Sequence, residues 1–233
     1  SYLGIFQYRF SENINYEDAR NEIDNFLSSD ENILFEFKIL SSFVASELKS
    51  YLKEFIKGLE IIEIVKEQQF SFKDCSIMNC IYAGAFLKHD RNIESASIAI
   101  DKLFKLRGQV LPTSIENKKL VGLRENGEIL YSEADIVELR SNVLIDRIFL
   151  LDQLLEKKYF SKLSLEQKMF YLNKHHCFVG ISKRAKLAIK QADVIIYSAG
   201  TQHSSLYPTY LTVGLAQSIA DNSKALKFFV TNI

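Results

Sequence analysis

The stretch that decides the fold is ADVIIYSAGTQHSSLYPTYLTVGL, residues Ala192–Leu215. The apolar run over 194–198 predicts a buried strand. Pro208 is typical of the first turn of a helix, because its missing N–H costs little there, and a helix is predicted over 209–220. A second apolar strand is predicted over 226–230. Strand, loop, helix and strand in this order indicate the βαβ unit of an α/β protein.

The loop between that strand and the helix is rich in hydrogen-bond donors. Gly200 lets the backbone approach a ligand closely or turn with positive φ, and the hydroxyls of Thr201, Ser204 and Ser205 can each donate to a phosphate oxygen. Ligands of βαβ units bind at the carboxyl ends of the strands, where a helix N-terminus offers free N–H groups. The pattern fits a phosphate site and an ordinary capped loop about equally. His203 is either a ligand contact or a solvent-exposed loop residue.

Two polar residues earlier in the chain are further candidates for ligand binding. Asn79 lies in the small, apolar run SIMNCIYAG. A buried amide there needs partners, which are either a ligand or a backbone carbonyl. Arg9 lies at the end of a predicted strand, and its guanidinium suits oxyanions, although a surface position is the alternative reading.

The composition excludes several classes of protein. The chain has 233 residues, of which 47% are hydrophobic and 25% are charged, as in ordinary globular proteins. Lys plus Arg and Asp plus Glu both count 29, so no net basic field exists to recruit nucleic acid. No run approaches the roughly 20 apolar residues of a membrane span, and the start lacks a secretory signal. We therefore expect a cytoplasmic protein with no nucleic-acid or membrane partner.

The cysteines and histidines do not form a recognisable metal or disulfide pattern. Cys75, Cys80 and Cys177 lack paired spacing, which fits a reducing compartment. His175 and His176 directly precede Cys177, and neighbouring side chains point in different directions. No metal-ligating residues are therefore predicted. The motifs GxxxxGK[ST], GxSxG, CxxC, HExxH and a complete GxGxxG are absent.

Hydrophobic periodicity gives the remaining elements. It predicts helices over 16–27, 42–66, 93–105 and 182–191, the last with Ser182 as N-cap. A first strand is predicted over 3–10, and Asn126-Gly127 predicts a hairpin between strands 119–124 and 129–132. Residues 33–40 fit either strand or helix. The segment 138–155 is predicted to begin as a strand and continue as a helix.

Four stretches in this order resemble the 2-phospho-L-lactate transferase-like (CofD-like) family. FQYRF at Phe6–Phe10, with Arg9, looks like the family's Tyr-Arg-Phe segment. CSIMNCIYAGAF at Cys75–Phe86 looks like its His-Ser-x-Gly-Asn-Leu helix. The run at Leu106–Ile136 is similar to its Arg-Gly-x-Val-Leu-Pro segment and the hairpin that follows. The stretch at Ala192–Leu215 resembles its Gly-Pro-Gly-Ser-Leu-Tyr-Thr-Ser-Ile-Leu-Pro loop. The matching stretches cover about half of the chain.

The resemblance implies a set of site residues. Gly200 falls on the second Gly of the family loop and Thr201 on its first Ser. Ser204 and Ser205 fall on its Thr and second Ser. Asn79 falls on the Asn of the family helix. These residues, with Arg9, are the ones that the resemblance assigns to a nucleotide or its phosphates, and no catalytic residue is assigned.

The resemblance also implies a fold and a function. It implies a Rossmann-like α/β sheet flanked by helices, with helical insertions and a β-hairpin, that binds a nucleotide or nucleotide sugar. The hairpin and the Ser/Thr loop look nearer the gluconeogenesis factor (YvcK-like) branch, whose members bind UDP-sugars and influence carbon metabolism. One alternative is a transferase that moves a nucleotide-linked 2-phospholactyl group onto a deazaflavin alcohol with Mg²⁺. A second is a non-catalytic interaction module, and a homo-oligomer stays open.

The departures from the family pattern concern the phosphate and metal sites. The family's N-terminal Gly-rich loop and its Asp-Asp-Gly-Gly-Ser stretch are absent between Ser1 and Ile233. Cys75 stands where the family has His, and Met78 where it has Gly. We therefore expect a fragment that is incomplete at both ends. It is predicted to form one CofD-like domain over 1–233 whose helical insertions, listed by approximate position, are 11–73 and 152–181.

Overall fold

The structure is a computed structural model that describes residues 3–29, 40–138 and 141–231. The chain divides into two compact units, Ser1–Leu111 and Pro112–Ile233. The described residues are mixed α/β, as the sequence predicts. The prediction of one domain over 1–233 with two helical insertions stays a prediction. The ambiguous segment 33–40 lies almost wholly outside the described residues.

Helices make up the first unit. Its described helices are α1 Leu3–Gln7, α2 Tyr16–Ser28, α3 Ser42–Lys66, α4 Ile77–Lys88 and α5 Ile93–Phe104. The predicted helices over 16–27, 42–66 and 93–105 are therefore confirmed. α3 and α4 approach closely at Gly84, where an added Cβ would lie 1.8 Å from the carbonyl oxygen of Tyr51. Their apolar faces form one core that includes Leu48, Leu52, Ile77, Ile81 and Ile100.

The predicted strand over 3–10 is wrong. Its first residues form α1, and the Tyr8 N–H donates to the Gly4 carbonyl at 2.9 Å as in a helix. Only Arg9 makes a β-type contact, an isolated antiparallel bridge to Ser76. All strands of the described residues lie in the second unit. The segment thus has no described strand beside it in its own unit, and a helix satisfies its backbone groups locally.

The second unit contains a three-stranded antiparallel sheet. Its strands are β1 Lys119–Arg124, β2 Ile129–Leu130 and β3 Ile145–Leu151, in the order β2-β1-β3. The predicted hairpin is confirmed, since β1 pairs with β2 and Gly127 turns the chain with φ of +83°. The helices on this part of the chain are α6 Glu133–Glu138, α7 Lys157–Phe160, α8 Leu165–His175 and α9 Lys183–Gln191. The helix at 182–191 and its Ser182 cap are as predicted.

The prediction for 138–155 is half right. The strand forms as β3, but residues 152–156 are not helical, and the next helix is the short α7. Asp152 instead accepts a hydrogen bond from the Lys118 ammonium at 2.7 Å.

The second unit also contains a two-stranded parallel sheet. β4 Val194–Tyr197 pairs with β5 Leu226–Phe229, with Val194 opposite Leu226. The connection between them holds helical segments, so the predicted βαβ order is confirmed. Both strands expose apolar side chains, including Ile196 at 61% and Phe229 at 65% of their surface. The prediction that the strand at 194–198 is buried is therefore wrong for the described residues, since β4 has only one neighbouring strand and exposes alternate side chains.

The helix predicted over 209–220 is interrupted. A π-helical turn, Gln202–Leu206, runs into α10 Tyr207–Tyr210, and α11 begins only at Leu215–Asp221. Between them Val213 exchanges backbone hydrogen bonds with residues 179 and 181, at 2.8 and 3.0 Å. Gly214 then turns the chain with φ of +88°. Pairing with the 179–181 segment therefore outweighs the helical periodicity of the sequence.

Among the described helices, none combines the length and apolar character that crossing a bilayer needs.

Candidate functional site

The candidate site is the loop of residues 198–210 at the carboxyl end of β4, named here the 200-loop. After Gly200, Thr201 occupies the N-cap position of a continuous helical segment over 202–210. The Ser205 and Leu206 N–H groups donate to the Thr201 carbonyl at 2.9 and 3.3 Å. The Thr201 side chain makes no capping bond to the first turn. The first N–H groups of this segment therefore have no hydroxyl acceptor from their own N-cap residue.

The hydroxyls of the 200-loop lie in different environments. Thr201 and Ser205 are exposed, whereas Ser204 is buried. The Ser204 and Ser205 Oγ atoms are 3.5 Å apart, so one hydroxyl can donate to the other. Pro208 lies in the first turn of α10, as the sequence predicts. The structure thus brings Gly200, Thr201, Ser204 and Ser205 together on one short loop.

Gly200 does not turn with positive φ. Among the described glycines only Gly127 and Gly214 do so. A Cβ at Gly200 would meet only the Leu206 side chain, at an ordinary 3.4 Å. The folded chain therefore does not require glycine here for its own backbone. Gly200 was expected either to turn with positive φ or to let a ligand approach the backbone closely. Only the second role is compatible with the structure.

His203 is half-buried beside Tyr207, whose ring it meets edge-on at 5.0 Å between centroids. Burial lowers the pKa of His203 below its usual value, so the imidazole is neutral at pH 7. The Tyr207 hydroxyl donates to the Gln202 side chain at 3.2 Å. A neutral imidazole can donate to a phosphate oxygen through its one N–H.

A cleft of about 240 Å³ adjoins the 200-loop within the second unit. Pro208 and Thr209 of the loop form part of its wall, and Lys118 supplies a cation there. Lys118 is held by Asp152 at 2.7 Å and by Glu116 at 3.4 Å. The hydrogen bond to Asp152 raises the pKa of the Lys118 ammonium. The remaining lining residues are Thr113, Ser114, Glu116, Leu150, Val179 and Thr212.

Sequence reasoning missed the cleft residues. Lys118, Thr113 and Ser114 belong to the stretch after Arg-Gly-x-Val-Leu-Pro that carries the family resemblance. That resemblance was the only available signal, since the cleft joins segments about a hundred residues apart along the chain.

Arg9 and Asn79 lie together in the first unit, at the start of α4. Arg9 bridges to Ser76, the N-cap residue of α4, and Asn79 is in the first turn with its N–H donating to the Ser76 carbonyl at 3.0 Å. The Arg9 guanidinium contacts the Asp74 carboxylate at 3.3 Å and its carbonyl at 2.5 Å. Asn79 is exposed, so the burial that made its amide notable in the sequence does not occur. The other four predicted site residues belong to the second unit.

The described residues contain no group of three or more His, Cys, Asp or Glu side chains arranged for a metal ion. The Mg²⁺ that the resemblance implies therefore has no ligand set in the described part of the chain, and it stays a prediction.

Comparison with known proteins identifies relatives over most of the chain. A protein called "Putative gluconeogenesis factor" from Thermotoga maritima is 28% identical over 167 residues, which is 70% of this chain and 43% of the relative. One of the same name from Clostridium acetobutylicum is 25% identical over 169 residues, 71% of this chain and 32% of the relative. The chain thus spans less than half the length of these curated relatives.

Solved structures share the fold. A member of the UPF0052 family from Bacillus halodurans matches with a TM-score of 0.52 at 22% identity, over 74% of this chain and 48% of that one. A second crystal structure of a protein from the same organism matches with a TM-score of 0.52 at 19% identity, over 96% and 58%. At these identities the likeness concerns the fold alone.

The family follows from the sequence match. The model of the family described as 2-phospho-L-lactate transferase CofD matches residues 3–233. Because this match covers nearly the whole chain, the chain belongs to the CofD family.

Proposed function

We propose that this chain is part of a nucleotide-sugar-binding protein of the CofD family, acting as a UDP-sugar-dependent metabolic regulator, and that the 200-loop holds the diphosphate. One observation carries the proposal. Thr201 stands at the N-cap of a helical segment that follows a parallel strand, yet its hydroxyl makes no bond to that segment. The hydroxyl and the first N–H groups are thereby left for an anion.

The electrostatics of the 200-loop favour a phosphate. Aligned peptide dipoles place about half a positive charge at a helix N-terminus, where N–H groups point outward. Exposed Thr201 and Ser205 add neutral donors. Gly200 leaves space beside the backbone, since its missing Cβ would otherwise project near Leu206. Each hydrogen bond to a charged oxygen contributes about 1.5–3 kcal/mol.

The adjoining cleft suits the sugar. Its volume, about 240 Å³, is below the roughly 300–1,000 Å³ of sites for whole drug-sized ligands. It therefore takes one part of a nucleotide sugar. Thr113, Ser114 and Thr209 line it with hydroxyls that match the hydroxyls of a sugar. Lys118 lies beside them, already paired with Glu116 and Asp152.

The assignment of Asn79 and Arg9 to the same ligand rests on the family resemblance. Arg9 is already engaged by Asp74, so a ligand phosphate has to compete with a carboxylate for it. Asn79 is exposed and is the simpler contact of the two.

The name of the curated relatives supports a role in carbon metabolism rather than a particular reaction. The family description names a 2-phospho-L-lactate transferase, which is the reaction of the second candidate. The Mg²⁺ of that candidate comes from the family resemblance alone. The two differ in ligand. The regulator binds a UDP-sugar without a metal requirement, whereas the transferase requires a guanine-type nucleotide or a phospholactyl-linked nucleotide together with Mg²⁺.

Thermal unfolding of the full-length protein separates these functions. A ligand at 100 times its dissociation constant stabilises the folded state by about 2.7 kcal/mol. We expect the melting temperature to rise with UDP-sugars in the absence of Mg²⁺. A rise only with guanine nucleotides and Mg²⁺ would move the assignment to the transferase, and no rise with any nucleotide would contradict both.

A double variant and a matched control test whether the ligand binds at the 200-loop. Thr201→Ala combined with Ser205→Ala removes two exposed hydroxyls, so the unliganded protein should keep its stability while the ligand-induced shift falls. Ser161→Ala is the matched control, because its exposed hydroxyl donates only to the Lys158 carbonyl at 3.0 Å. Equal ligand shifts in the control and the double variant would contradict this placement.

A further inference from the structure

The start of α4 holds two cysteines in contact. The Sγ atoms of Cys75 and Cys80 are 3.8 Å apart, close enough for one thiol to donate to the other. Cys75 is half-buried, and Cys80 is 1% exposed. The pair belongs to the first unit, and the function proposed above assigns no role to either thiol.

Helix-start geometry explains why these two positions meet. Ser76 is the N-cap of α4, so Cys75 directly precedes the cap and Cys80 is the fourth helical residue. Residues at these positions commonly pack together as a hydrophobic staple that fixes how the chain enters the helix. Here both members of the staple are thiols. Two further backbone bonds, from Phe10 N to Cys75 O at 3.0 Å and from Ile77 N to Tyr8 O at 3.2 Å, hold the segment in place.

The two thiols differ in reactivity. The pKa of Cys75 is lowered, first by the hydrogen bond from Cys80 and then, against burial, by the charge of Arg9. The pKa of Cys80 is raised by its hydrogen bond to Cys75 and by burial. Thiolate is the reactive form of cysteine. Cys75 is also the more accessible of the two, since Cys80 is 1% exposed. Cys75 is therefore the nucleophile, and Cys80 is the thiol placed to react next.

We propose that Cys75 and Cys80 form a reversible disulfide when the protein meets a hydroperoxide, which makes the start of α4 a site of redox modification. In the first step the Cys75 thiolate attacks a peroxide oxygen, the O–O bond breaks, and a sulfenic acid and hydroxide form. In the second the Cys80 sulfur attacks Cys75 Sγ, the S–O bond breaks, and water leaves with the Cys80 proton. Two thiols and one peroxide thus give one disulfide and two waters.

The disulfide would fix the segment around Ser76. The sulfur atoms have to approach from 3.8 Å to the bond length of about 2.05 Å. Closing that gap draws residue 75 against the first turn, in which Asn79 lies. The same segment carries the Arg9–Ser76 bridge. The modification therefore acts on the backbone that positions Arg9 and Asn79.

Peptide mapping of the full-length protein tests the proposal. The reduced protein is treated with hydrogen peroxide, alkylated and cleaved with trypsin. Cys75 and Cys80 fall on one peptide, residues 74–88, and Cys177 falls on another, residues 175–183. We expect the first peptide to lose two hydrogens and to escape alkylation, and to become doubly alkylated again after dithiothreitol. Double alkylation of this peptide after peroxide, or a sulfinic acid on Cys75 beside a free Cys80, would overturn the proposal.

Cys177 is the internal comparison. Its thiol donates to Asp152 at 3.1 Å, and that hydrogen bond raises its pKa, so its peptide should stay alkylated under the same treatment. In Cys80→Ser the resolving thiol is gone, and Cys75 should accumulate a sulfenic acid that dimedone captures. Cys177→Ser should form the 75–80 disulfide at the wild-type rate. Disulfide formation that requires Cys177, or that occurs only in denaturant, would contradict the assignment.

Discussion

Two helix starts in the second unit use the same kind of residue in opposite ways. Ser182 begins α9, where its hydroxyl accepts from the Ala185 N–H at 3.2 Å and donates to the Pro112 carbonyl at 2.9 Å. Thr201 begins the helical segment of the 200-loop, where its exposed side chain makes no capping bond. The Ser182 hydroxyl makes both of its hydrogen bonds within the protein. The Thr201 hydroxyl makes no bond to its own helix and can bind a ligand.

The rest of the described chain makes the contrast clearer. Every other Ser, Thr or Asn at a described helix start caps its first turn, except Ser76 of α4. The residues that do cap are Asn15, Ser41, Asn92, Ser132, Ser164 and Ser182. The two exceptions, Ser76 and Thr201, begin the two segments that the family resemblance assigns to the ligand. The absence of a capping bond therefore distinguishes Thr201 from the structural helix-start hydroxyls, which residue type alone does not.

Substitution of two glycines by alanine should give the largest difference in stability between the structural core and the 200-loop. The first of them is in the core. Gly84→Ala drives a Cβ to within 1.8 Å of the Tyr51 carbonyl oxygen, so α3 and α4 have to separate. The gain in helix propensity, about 1 kcal/mol, is outweighed, and we expect a loss of about 3 kcal/mol in the free energy of unfolding. Urea unfolding measures this.

Gly200→Ala is the matched change in the 200-loop. Its Cβ would meet only Leu206, at 3.4 Å, so stability should stay within about 0.5 kcal/mol of wild type. Nucleotide affinity should nevertheless fall, because the methyl group occupies the space beside the phosphate. A large loss of stability in Gly200→Ala with unchanged affinity would remove the contrast.

Removal of the Ser182 or the Thr201 hydroxyl should change stability and affinity by smaller amounts. Ser182→Ala loses a cap and leaves the Pro112 carbonyl without its donor, so we expect a loss of about 1–2 kcal/mol in stability and an unchanged affinity. Thr201→Ala should leave stability within about 0.5 kcal/mol and weaken nucleotide binding by about tenfold. Unfolding curves and ligand titrations of both variants check these values. The reverse pattern would make Thr201 the structural residue.

The smallest expected effects concern the pKa values of two histidines, His176 and His203 of the 200-loop. Burial lowers the pKa of both His176 and His203. Their neutral forms stabilise the fold above the unfolded value of about 6.5, and this stabilisation is lost as pH falls below it. His176 Nδ1 also accepts the Leu150 N–H at 3.2 Å. His176→Gln should therefore reduce the loss of stability between neutral and acidic pH in urea unfolding.

Ligand binding should affect only one of these histidines. A phosphate in the 200-loop favours the charged imidazole of His203, so the pKa of His203 should rise on addition of ligand while that of His176 stays constant. Titration of the imidazole resonances by NMR measures both values in one sample. Equal behaviour of the two histidines would argue that no anion binds beside His203.

The sequence predicted those elements well whose structure depends on residues close together in the chain. The Asn126-Gly127 hairpin, the Ser182 cap and the parallel pair of β4 and β5 follow from turn chemistry and periodicity. Prediction from the sequence failed for elements whose structure depends on contacts with distant segments of the chain. The backbone pairing of Val213 with residues 179 and 181 breaks a predicted helix, and the segment at 3–10 lacks a described neighbouring strand in its unit.

The candidate site was predictable as a set of residues but not as an arrangement. The donor-rich run after Gly200 identifies the 200-loop from sequence alone. That Ser204 is buried while Thr201 is exposed depends on packing, and that Lys118 lies in the adjoining cleft depends on its contacts with Asp152 and Glu116. Spacing along the chain carries no information on either point.

The central claim is that the 200-loop recognises a phosphate group. Isothermal titration of the full-length protein with a UDP-sugar, UDP and uridine tests it most directly, since uridine keeps the base and ribose but lacks the diphosphate. We predict that UDP and the UDP-sugar bind at least about a hundredfold more tightly than uridine, as two charge-assisted hydrogen bonds require, and that Thr201→Ala with Ser205→Ala reduces this ratio. Equal affinity for uridine and UDP, unchanged in the double variant, would contradict the claim.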